Sequence, residues 1–166
     1  MIPADQLAQT FQSNHWLALR HLEGLTHSLS LLTLEDHPNP INWVLGHLVH
    51  NRNEALHFLG VPSLWHAGEG HLYKTGSGPV DHETALPLER LLADFEEAQA
   101  DLEMALAQVT DDELLIVVST RFGERPLWQH LSSLAWHETY HIGQMELRRQ
   151  YALSGSEPAL LEAQPA

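Results

Sequence analysis

The segment His137-Glu138-Thr139-Tyr140-His141, continued by Ile142-Gly143-Gln144, carries two histidines four residues apart. On a helix such a pair lies about 40° apart around the axis, one turn above the other, so both imidazoles can reach a single metal ion. Leu127, Leu131, Leu134 and Met145 recur with His141 at helical intervals, and Pro126 is tolerated at a first turn. The pattern predicts a helix over about 126–150, with Arg148 and Arg149 suited to its C-terminal end. The chain holds 13 histidines, so spacing of this kind also arises by chance, and histidines with ordinary structural roles remain the alternative.

The same five residues spell H-E-x-x-H, in which a glutamate serves zinc proteases as general base. That chemistry needs a third ligand downstream. No histidine follows His141, Glu146 is too near on the same helix, and Gly143 stands at the wrong offset for the longer motif. The protease reading is set aside. On the helix wheel Glu138 lies about 60° from His141 toward the apolar stripe, which predicts a partly buried partner, with Arg52 as one candidate, rather than a base.

The 166 residues, 43% hydrophobic, suffice for one domain with a continuous core. No run approaches the roughly 18 apolar residues of a membrane span, and Met1-Ile2-Pro3-Ala4-Asp5 lacks a basic-then-apolar signal, so a soluble cytoplasmic protein is expected. Zero cysteines exclude disulfides, thiolate nucleophiles and Cys-ligated zinc, leaving His, Asp and Glu as ligands. A formal charge of −14, from 8 basic and 22 acidic residues, would repel a phosphate backbone and disfavours nucleic-acid binding.

Leu7, Phe11, Asn14, Ala18, Leu22 and Leu25 predict a first helix over about 4–26, with His15 and His21 flanking its apolar face. Asn39-Pro40 reads as a start, Asn capping and Pro in the first turn, of a helix over about 40–59. His47 borders its apolar stripe, and His50, Asn51 and Glu54 follow on the same side as candidate cleft residues. From 61 to 86 periodicity is lost and turn residues dominate, so a crossover and partial lid is expected, with His66, His71 and His82 read as exposed. Residues 87–109 are amphipathic, Thr110-Asp111-Asp112-Glu113 resembles a capping box, and 116–118 are expected to run extended toward Gly123. The domain is expected to cover 1–152, with 153–166 a frayed tail.

Four such helices most simply form an all-α four-helix bundle. His47 lies roughly 10 Å past the start of its helix and His141 roughly 13 Å before the end of the last, so equal heights need these two helices antiparallel. The long connection between helices 2 and 3 can span a helix of roughly 30 Å and place them parallel, giving up-down-down-up order.

The segment Asn42-Trp43-Val44-Leu45-Gly46-His47-Leu48, with His137-x-x-x-His141-x-Gly143-Gln144, resembles the DinB/YfiT-like superfamily of metalloenzymes. The resemblance implies the same bundle, a divalent metal, often zinc or nickel, held by His47, His137 and His141, and frequent homodimers. It also implies a small-molecule substrate and a hydrolase-like activity or S-transfer with a low-molecular-weight thiol. Three neutral imidazoles leave metal positions open, as a catalytic site requires. His130, two turns before His137, is expected to shape the pocket mouth. No catalytic residue beyond the ligands is assigned. A metal-retaining binding or stress-associated module without turnover is the competing expectation, because chemistry belongs to the site and not to the bundle.

Overall fold

The computed structural model describes residues 1–34, 38–121 and 123–154. It is mainly helical: α1 (Ala4–Leu22), α2 (His27–Ser30), α3 (Ile41–Phe58), α4 (Ala67–Tyr73), α5 (Leu88–Gln108), α6 (Asp111–Leu114) and α7 (Leu127–Ser154). An antiparallel hairpin, β1 (Val117–Thr120) and β2 (Gly123–Pro126), precedes α7 and pairs Val117 with Pro126. The expected purely helical class is thus corrected by one small sheet, built where Ile116-Val117-Val118 was expected to be extended. Its β-branched residues suit a pleated ribbon, and Gly123 takes the positive φ of 94° that starts the return strand.

Several boundaries also differ from expectation. The first helix stops at Leu22 because Gly24 adopts a φ of 80°, and Thr26 then caps the separate α2 through Leu29 N. Pro40 occupies the N-cap position of α3, and Asn39 contributes its carbonyl to Arg148 Nε at 2.8 Å. The 61–86 connection contains α4, which periodicity failed to reveal. Glu69 Oε2 accepts from the His66 backbone N–H at its start, and its other oxygen accepts from Arg90 on α5. The capping box at Thr110 and Glu113 is present as read. Leu153 and Ser154 are helical, and the remainder of the expected tail lies outside the described residues.

The four long helices pack α3 on α5 and α7, and α1 on α5 and α7. Along α1 and α7 the polar partners advance together, from Asn14 with Ala135 and Thr139 to His21 with Glu146. Along α3 and α7 they advance in opposite senses, from Asn39 with Arg148, through Arg52 with Glu138, to Glu54 with His130. The apolar interior falls into two clusters, one around Val44, Leu48, Leu91 and Phe95, the other around Phe11, Leu56, Leu102 and Leu131.

Arg52 and Glu138 lie where the two clusters meet, both fully buried. Arg52 Nε donates to Glu138 Oε1 at 2.6 Å and Nη2 to Oε2 at 3.2 Å, while the remaining guanidinium protons reach the carbonyls of Phe95 and Phe11. The guanidinium carbon also stands 3.8 Å from the Phe95 ring centroid. Taking two charges out of water costs several kcal/mol per ion, and only this near-complete set of partners offsets it. Removing one partner strands the other. Glu138→Ala is expected to destabilise the fold by about 3–5 kcal/mol in urea denaturation, whereas the paired replacement Arg52→Met with Glu138→Leu recovers most of that loss; a loss under about 1 kcal/mol in the single variant would contradict the pair's structural role.

Candidate metal centre

His47 faces inward from the middle of α3, and His137 and His141 face it from consecutive turns of α7. His47 Nε2 lies 3.0 Å from His137 Nε2, and His141 Nε2 lies 3.1 Å from the same atom. The three histidines each offer one nitrogen, all within 4.8 Å of one another. Each of the two outer rings has its second nitrogen engaged. His47 Nδ1 is 2.7 Å from the Tyr73 carbonyl, which can only accept, so Nδ1 carries the proton and the Nε2 lone pair points into the cluster. His141 Nδ1 likewise donates to Gln144 Oε1 at 3.0 Å.

Neutral rings so arranged crowd lone pairs together. One Nε2 proton on His137 cannot serve both neighbours, and a cation at the centre would satisfy all three nitrogens. Tetrahedral zinc with bonds of about 2.0–2.1 Å sets nitrogens roughly 3.3 Å apart, close to the spacing found. The donor set therefore fits a divalent ion of borderline softness. Burial keeps the rings neutral and ready to ligate: it pulls His47 down to about 3 and His141 to about 4, with the neighbouring site histidines adding to the effect, and it also lowers His137.

The motif around His47 has a physical purpose beyond the ligand. Gly46 lets the Tyr73 ring pack directly on α3, since a Cβ there would overlap it. Tyr73 OH donates to Asn42 Oδ1 at 3.1 Å and accepts from Leu86 N at 2.8 Å, fixing the carbonyl that orients His47. Trp43 stacks on the His47 ring at 4.8 Å between centroids and donates to Ser77 Oγ. A cavity of about 410 Å3 opens beside the cluster, bounded by Trp43, Thr75, Ser77, Tyr140, Gln144 and Arg148.

The remaining candidates separate. Asn51 is 1% exposed and belongs to the site: its Nδ2 lies 3.1 Å from His47 Nε2, and its Oδ1 has no partner among the described residues. His50 and Glu54 line a neighbouring cavity of about 390 Å3 with Trp65, His66 and His71. Glu54 Oε1 stands 3.1 Å from His130 Nε2, a contact that holds the Glu54 carboxyl below its usual range. His130, 1% exposed, lines a further cavity together with His137. Glu138 turns away from the triad toward Arg52, as the helix wheel predicts. Tyr73, Trp43 and Gln144 carry site roles that the sequence reading did not assign. Trp43 and Gln144 stood within the quoted motifs, whereas nothing local marks Tyr73, because its contact depends on where the crossover lands.

The family model described as the DinB superfamily matches residues 10–145. The chain belongs to the DinB superfamily. A solved structure titled "Crystal structure of the conserved protein of locus from Enterococcus faecalis" superposes with a TM-score of 0.73 at 14% identity, covering 93% of this chain and 99% of that one. At that identity the likeness speaks for a shared fold alone. No curated protein matches the chain.

His15, packed on Phe95 and facing Arg52, is also pulled down from 6.5 to about 4, by burial first and then by the Arg52 charge. Unfolded histidines take up protons near 6.5 while these stay neutral in the fold, so the unfolded state binds more protons between those values and stability falls as pH is lowered. For chelator-treated protein the urea midpoint is expected to drop steadily between pH 6.5 and about 4, with His15→Leu reducing the slope; a midpoint that is flat or rises on acidification would contradict the burial of these rings.

Proposed function

We propose that this DinB-superfamily protein is a divalent-metal-dependent enzyme, hydrolase-like or a low-molecular-weight-thiol S-transferase, with His47, His137 and His141 as the ligands and zinc or nickel as the ion. The observation that carries the reading is the convergence of rings from two helices, with His47 Nε2 and His141 Nε2 lying 3.0 and 3.1 Å from His137 Nε2 and the opposite nitrogens of His47 and His141 already engaged. An ion held there supplies a Lewis acid that lowers the pKa of a coordinated water or thiol toward neutrality. Tyr73 and Gln144 hold the rings in one tautomer and orientation. Trp43 with Tyr140 narrows the approach to the cluster. The chain has no cysteine, so a sulfur nucleophile has to arrive with a small-molecule co-substrate.

The proposed architecture is one domain over about 1–152, a four-helix bundle in up-down-down-up order. What supports it is the sense of the polar pairings: α1 advances with α7, α3 runs against α7, and α3 advances with α5 from Asn42 and Leu86 to Arg52 and Phe95. A homodimer is part of the proposal. Leu147 and Tyr151 stand 63 and 47% exposed one turn apart near the end of α7, a face that a second copy would cover. We place the protein in the cytoplasm. No described helix is long and apolar enough to cross a membrane, and a chain without cysteine needs no oxidising compartment.

Untagged protein is expected to carry about one divalent ion per chain by elemental analysis, and His137→Ala to lose it. Metal-loaded protein is expected to turn over at least one member of a panel of esters, amides and thiol conjugates, with His137→Ala reducing the rate about 100-fold or more. Ion retention with no turnover across that panel would instead make the site a binding module.

A further inference from the structure

On the other side of His137 from the cavity described above lies a second, larger one of about 580 Å3, within the size range of small-molecule sites. It is walled by the hairpin, by α7 and by Thr75 of the crossover, and it shares Thr75 and His137 with the first cavity, so the two meet at the triad. Its lining is unusual for this chain. Only 8 of 166 residues are Lys or Arg, yet Arg121 and Arg125 both face this one cavity. Arg121, though exposed, donates from Nη1 to Thr75 Oγ1 at 3.1 Å, which ties the guanidinium to the crossover. Its charge reaches far enough to help lower His50, His137 and the Glu54 carboxyl.

A second feature is independent of the arginines. His130, 1% exposed, forms part of the wall, and its Nδ1 has no hydrogen-bond partner among the described residues. A buried ring nitrogen without a partner is costly and marks a place where a ligand or water belongs. Leu134 and the Trp136 indole supply an apolar side to the same cavity.

We infer that this cavity seats an organic carboxylate, with Arg121 and Arg125 holding the anionic group, Trp136 and Leu134 covering its hydrocarbon body, and the far end of the molecule reaching His137. Planar guanidinium forks match a carboxylate, and the apolar wall favours an organic anion over a bare inorganic one. The inference names a substrate class for the proposed metal centre and rests on that reading for the direction in which the reacting end points. The anion seat itself does not need the ion. In a chain with a net charge of −14, a local basic pocket also draws anionic molecules to this face against the general repulsion.

The test uses isothermal titration of the full chain with phenylacetate, with its neutral isostere phenylacetamide, and with inorganic phosphate, each on chelator-treated and on zinc-loaded protein. Phenylacetate is expected to bind at least about tenfold more tightly than the amide, and Arg121→Gln and Arg125→Gln each to lose about tenfold for phenylacetate with little change for the amide. Arg20→Gln, which removes the same charge where Arg20 covers Trp16 on α1, controls for net charge and is expected to behave as wild type. Circular dichroism confirms that the variants fold. Equal affinity for carboxylate and amide, an equal loss in Arg20→Gln, or binding of phosphate without phenylacetate overturns the inference. If phenylacetate discrimination holds but zinc does not bind, the anion seat stands and the metal reading falls; if zinc binds and the discrimination is missing, the reverse follows.

Discussion

Arg52 and Glu138 hold α3 and α7 at a fixed relative height, and the functional geometry follows from that. Arg52 sits five residues beyond His47, and Glu138 lies between His137 and His141. A bidentate contact between two fully buried charges tolerates little sliding, because any shift leaves a desolvated carboxylate or guanidinium short of partners. The same contact separates the two apolar clusters and is braced on the α1 side by Asn14, whose Nδ2 donates to the Ala135 carbonyl and whose Oδ1 accepts from Thr139. The interior is thus organised around a polar layer, and the histidine cluster forms one edge of it.

Local chemistry then prepares the rings. Gly46 admits Tyr73, Tyr73 is held by Asn42 and Leu86, and its carbonyl fixes the tautomer of His47. Gln144 does the same for His141. Burial keeps all three imidazoles neutral, so the proposed ion would find lone pairs and not protons at neutral pH. Basic side chains stand on both sides, Arg148 by one cavity and Arg121 with Arg125 by the other. An acidic protein has concentrated a good part of its positive charge beside the cluster.

Much of this was legible in the sequence because helical periodicity is local. The spacing of His137 and His141 and the inward turn of Glu138 follow from the 3.6-residue repeat alone, while Arg52 stood only as one candidate for the partner of Glu138. The four long helices were found to within a few residues for the same reason. The crossover was not, since α4 is seven residues long and is fixed by Tyr73 and Trp65 docking in the core rather than by its own pattern. His50 and Glu54 were grouped with the cleft because they share a side of α3 with His47, yet they line a separate cavity. A helix wheel gives direction around an axis but not which neighbour fills the space there. The hairpin arginines carried no motif, and only the return of the chain beside His137 gives them a role.

The central claim is that rings from two separate helices meet at one cation. X-ray absorption at the zinc edge, recorded on the zinc-loaded protein and on its His47→Ala variant, tests it most directly. The account predicts about three imidazole scatterers at roughly 2.0–2.1 Å, falling by one in the variant. A first shell containing no more than one imidazole, or one unchanged when His47 is removed, would contradict it.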